Sequence, residues 1–74
     1  MISLHSVILV DSTSHAMRIE KVLHTHNIPS KLIPVPRHLS SDCGVCVRIA
    51  SDKKERVREI LESNKIVYQS IKVL

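Results

Sequence analysis

Aromatic side chains are almost missing from this chain: it has no tryptophan and no phenylalanine, and Tyr68 stands alone. Readers of single-stranded nucleic acid stack bases on several aromatic rings, so nucleic acid is not an expected partner. Gly44 is the only glycine, which excludes a glycine-rich loop of the kind that cradles phosphates. No apolar run approaches the roughly 18–20 residues that a membrane span needs, and no membrane partner is expected. The start, Met1-Ile2-Ser3-Leu4-His5, has no basic n-region and no cleavage signal. A cytoplasmic location is the expectation from it.

The chain is short as well. Its 74 residues are expected to form a single domain, residues 1–74, burying about 60–65% of the surface that the unfolded chain exposes. That excludes large enzyme folds such as the β/α barrel, which needs about 250 residues. Hydrophobic residues make up 43% and charged residues 24%, so a packed core is expected rather than disorder.

Acidic residues are the scarcer charge: seven against eleven lysines and arginines, for a net charge of +4. The cations are scattered along the chain. In the one dense run, Lys53 to Arg58, they interleave with Glu55, Glu59 and Glu62. That is the pattern of a solvated helix face rather than of a nucleic-acid helix.

The apolar residues spell out a plan. Val7-Ile8-Leu9-Val10 is a continuous apolar run rich in β-branched residues, as in a buried central strand. Asp11-Ser12-Thr13-Ser14 offers N-cap oxygens for a helix from Ser14 to His26, with Ala16, Ile19, Val22 and Leu23 at helical spacing. Asn27-Ile28-Pro29 ends that helix. Lys31 to Pro36 reads as a second strand, and its two prolines place it at an edge or a strand end. Residues 37–44 read as a loop. Val45, Val47 and Ile49 alternate with Cys46 and Arg48 in a third strand. Ser51-Asp52 offers a cap for a second helix that runs to about Ser63 with Val57, Ile60 and Leu61 as its apolar face, and Asn64 as its C-terminal cap. Ile66-Val67-Tyr68, Ile71 and Val73 form a last strand. The order predicts an α+β, ferredoxin-like split βαβ fold: a four-stranded antiparallel sheet with two helices on one face. An apolar open face on the other side would invite a homodimer.

The feature richest in chemistry is Cys43-Gly44-Val45-Cys46. Two cysteines at this spacing, in a chain without an export signal, suggest sulfur or metal chemistry more than a disulfide scaffold. All such uses need thiolate, which a nearby cation favours. Arg48 lies on the same face as Cys46 in an extended strand, and Arg37 and His38 approach from the loop. In a fully extended strand the two cysteines point to opposite faces, so pairing them requires a turn, for which Gly44 is suited. A closed zinc site wants four ligands. Cys43, Cys46 and His38 supply three, so zinc remains open only with help from elsewhere, such as a second subunit. The free N–H groups at the helix start, Ser12, Thr13 and Ser14, are a candidate anion site for phosphate, selenite or sulfate. Ordinary capping accounts for the same residues. A non-catalytic interaction module, with the cysteines structural, stays open beside these readings.

The loop as a whole, Pro34 to Arg48, together with Asp11 to Ala16 and Glu20-Lys21-Val22-Leu23, resembles a family of small bacterial proteins described as selenium/sulfur carrier-like, a domain of unknown function. The resemblance covers nearly the whole chain. It is strongest over Pro34-Val35-Pro36-Arg37 and Ser40-Ser41-Asp42-Cys43-Gly44. It implies a cytoplasmic protein that handles selenium or sulfur with a protein partner of that metabolism. By position it implies Cys43 as the carrier thiol and Cys46 as a second, less uniform one; read from the residues themselves, Cys46 would resolve an adduct and Arg37 and Arg48 would favour the thiolate. No resident cofactor and no stand-alone enzyme are expected. His38 stands where the family often has an acidic residue, which makes this loop more basic.

Overall fold

A computed structural model of the chain describes residues 4–39 and 44–74. In order they form β1 (His5–Leu9), α1 (Thr13–Thr25), β2 (Ser30–Pro34), β3 (Val45–Ala50), a 3-10 turn (Ser51–Lys53), α2 (Lys54–Ser63) and β4 (Ser70–Val73). The strands make one antiparallel sheet in the order β2-β3-β1-β4, with β1 and β3 central. This is the split βαβ arrangement expected from the element order.

Register sorts the side chains. Ile8 lies opposite Val47, and Ser6 opposite Ile49. Because strand side chains alternate between faces, Ile8, Val47 and Ile49 point toward the helices. There they pack with Val10, with Ala16, Ile19 and Leu23 of α1, and with Val57, Ile60 and Leu61 of α2. Each such large apolar side chain contributes about 1.5–3 kcal/mol when fully buried. Ser6 is the one buried polar residue among those described, and its Oγ shares a 2.8 Å hydrogen bond with Ser51 Oγ.

The helices are stopped by the same device. After α1, Asn27 takes a positive φ of 60°, its N–H bonds His24 O at 3.0 Å, and the Ile28 N–H bonds Leu23 O at 2.9 Å. After α2, Lys65 takes φ 54°, its N–H bonds Glu62 O at 3.1 Å, and the Ile66 N–H bonds Leu61 O at 2.9 Å. Both are Schellman caps, and in both the following isoleucine is buried as a plug against the core. Asn64 is the α2 C-cap, with its Nδ2 donating to Ile60 O at 2.8 Å. At its start α1 is capped by Ser12, whose Oγ accepts from the His15 N–H. The alternating charges of α2 meet as exposed pairs, Arg56–Glu59 at 3.9 Å and Arg58–Glu55 at 4.0 Å.

Several boundaries differ from the sequence expectation. The last strand begins at Ser70, not Ile66, because Ile66 is consumed by the cap of α2. Ser51 does not cap α2. Its hydroxyl is turned to Ser6, and the chain enters the helix through the 3-10 turn with no side-chain cap. The second strand ends at Pro34, although the Val35 N–H still bonds Gly44 O at 3.1 Å. It lies at the sheet edge, as its prolines require. The open face is mixed in character: Val7 and Leu9 share it with Lys31, Arg48 and Lys72.

A lysine held at positive φ is strained where glycine is not. Lys65→Gly should therefore stabilise the fold by about 0.5–1 kcal/mol, raising the melting temperature by several degrees, about 4–8 °C per kcal/mol for a chain of this size. Thermal unfolding followed by circular dichroism checks this, and a lowered melting temperature would mean that the lysine side chain contributes packing of its own.

Candidate functional site

The site is built on the face of the sheet that the helices leave uncovered. Cys46 is the second residue of β3, and alternation turns it away from the helices, opposite Ile33 of β2. It is fully buried all the same, in a small cluster with Val7 and Leu9. Its cover comes from the segment after β2: Val35 and Leu39, with Ile33, pack over the cluster. Residues 36–39 form a tight turn closed by the Leu39 N–H on Pro36 O at 3.0 Å. The cysteine Sγ lies 3.9 Å from Pro34 O, within reach of a weak S–H donor. Thus the loop folds back across the sheet and closes over one sulfur.

The other expected site residues fall around this cover. Arg37 and His38 occupy the middle of the turn and are exposed. Arg48 is on the open face, two residues along β3 from Cys46 and half-buried. Cys43 lies outside the described residues. Gly44 lacks the left-handed φ that would require glycine, and an added Cβ would meet nothing within 4 Å. Glycine's special freedom is therefore not what turns the chain at position 44. Ser12, Thr13 and Ser14 sit where β1 hands over to α1. By register this is the end of the sheet that carries Cys46, but in the helix layer. The Ser12 hydroxyl is committed to the cap. For metal, no group of three or more His, Cys, Asp or Glu side chains converges among the described residues.

Two residues that the sequence reading passed over, His5 and Lys31, join Arg48 at the far end of the same face. With Pro29, Ser30, Ile49 and Ala50 they line a cavity of about 300 Å³. The signal was present in the alternation of Lys31 with Leu32 and of Arg48 with Val47. It becomes legible only when the register of β2 on β3 is known.

The described residues form a small split βαβ domain with one cysteine buried beneath the segment that follows β2. Over residues 5–72 the chain matches the model of a family described as "Putative Se/S carrier protein-like", and it belongs to that family. Searches of curated proteins and of solved structures return no match to it. No helix among the described residues is long and apolar enough to cross a membrane.

Burial makes Cys46 reachable only when the loop lifts, since local opening has to precede attack on a covered thiol. In a Cys43→Ser background, labelling of Cys46 by an aromatic disulfide reagent should be more than about tenfold slower in the folded protein than in denaturant. Equal rates would show that residues 35–39 do not cover the sulfur in solution.

Proposed function

We propose that this protein is a thiol-based carrier in sulfur or selenium trafficking, with Cys43 bearing the cargo and Cys46 as the second thiol. Membership of the carrier-like family supports the general reading. The observation that carries the finer one is the burial of Cys46 beneath residues 35–39, in a loop that runs on to Cys43. A cargo thiol with an exposed resolving thiol beside it discharges at once. Here the second sulfur is covered while the loop is closed, which lets an adduct on Cys43 persist.

The chemistry needs no resident cofactor. A partner protein of sulfur or selenium metabolism presents a persulfide. The Cys43 thiolate attacks its outer sulfur, the new sulfur–sulfur bond forms on Cys43, and the donor leaves as a thiolate. Sulfur is transferred with no net oxidation. An acceptor thiolate removes the cargo by the same exchange. When the loop opens, the Cys46 thiolate can instead attack the Cys43 sulfur, forming a disulfide and releasing hydrosulfide. Arg37 on the turn and Arg48 on β3 supply positive charge that favours anionic sulfur over neutral thiol.

Intact mass after incubation with a persulfide or selenium donor tests this. Wild type and Cys46→Ala should gain the donor atom in a form that reductant removes, and Cys43→Ser should gain none. A Cys43→Ser protein that loads as well as wild type would overturn the assignment.

A further inference from the structure

The carrier reading rests on Cys46 at one end of the open sheet face and takes only Arg48 from the other. The other end holds the cavity of about 300 Å³ between β2, β3 and the start of β1. Its lining includes three basic side chains, His5, Lys31 and Arg48, and no carboxylate. Lys31 and Arg48 are direct cross-strand partners in the antiparallel register, and Val7 separates Arg48 from Lys72 in the same row. Among the described residues neither Lys31 nor Arg48 makes an ion pair.

This arrangement is not explained by folding. Like charges placed opposite one another destabilise a sheet pair, and an acidic residue in the row would relieve it. None of the four strands contains one. The acidic side chains among the described residues are instead Asp11, Glu20, Asp52 and three along α2. The open face therefore presents a positive field with nothing in its own row to neutralise it, and the cavity concentrates that field.

We propose that this cavity binds a small phosphate-bearing molecule. Arg48 suits the group because a guanidinium donates two parallel hydrogen bonds to a phosphate, while Lys31 adds a mobile point charge. Pro29 and Ala50 give the cavity an apolar wall, and its size leaves room for an organic part beside the phosphate. A nucleic-acid strand fits poorly, because the lining holds no phenylalanine, tyrosine or tryptophan on which successive bases could stack. The site is independent of the cysteines, and its test does not require that they carry anything.

Inorganic phosphate and pyrophosphate are the probes, titrated at constant ionic strength while backbone amide shifts are followed by NMR. Saturable shifts confined to residues 5, 30–31 and 48–50 are expected, with pyrophosphate tighter than acetate. Lys31→Glu should lose at least about tenfold in affinity, the loss expected for one charge-assisted contact. It should also keep or raise the melting temperature, since the glutamate faces Arg48. Lys31→Gln provides the same readout without reversing charge, and Lys21→Ala on α1 should change nothing. Shifts centred on Ser12 to His15, equal response to acetate, unaltered binding by Lys31→Glu and Lys31→Gln, or tighter binding of a single-stranded oligonucleotide spread over β1 and β3 would each overturn the site.

Discussion

The register in which β3 lies between β1 and β2 is the constraint on which the rest of this molecule depends. Val47 opposite Ile8, and Ile49 opposite Ser6, put two large apolar side chains into the helix-covered core. The same alternation forces Cys46 and Arg48 onto the other face. A slip of one residue would expose Val47 and Ile49 and drive Arg48 beneath the helices, where an unpaired guanidinium is not tolerated. The position of the cysteine and of the cation thus follows from burial of their neighbours. The chemistry-bearing face is a by-product of core formation on its reverse side.

That face is divided. Near the start of β3, a turn after the edge strand folds back and supplies Val35 and Leu39 as a lid for Val7, Leu9 and Cys46. Toward its end, the same row of strands carries Lys31, Arg48 and Lys72. A small domain with so few aromatics can ill afford an uncovered apolar sheet, and the lid meets part of that need. It also leaves a sulfur atom in a place that solvent reaches only through loop motion. A short carrier can exploit such a lid, because reactivity is then set by opening of a loop rather than by a separate catalytic domain.

Much of the architecture was legible beforehand because it rests on local pattern. The unbroken run at Val7 to Val10 marked a central strand, the alternation of Val45, Val47 and Ile49 marked a half-buried one, and Pro34 and Pro36 marked an edge. Asn27 and Asn64 announced the helix ends. The boundaries that moved did so for tertiary reasons. Ile66 has strand character, but the positive φ at Lys65 and the bond to Leu61 O make it a helix plug. Ser51 has cap character, but Ser6 takes its hydroxyl. On the site, Cys46 could be found by spacing, whereas its burial could not, because the lid comes from residues seven to eleven positions earlier. The pairing of Lys31 with Arg48 was invisible for the same reason: cross-strand partners are set by register, which no single segment encodes.

The proposed carrier role requires that cargo reside on the loop thiol and not on the covered one. Peptide mapping of the wild-type protein after donor treatment, by fragmentation mass spectrometry under non-reducing conditions, locates the added atom directly. The added sulfur or selenium is expected on Cys43, with Cys46 unmodified. Cargo found first on Cys46, with Cys43 unmodified, would contradict it.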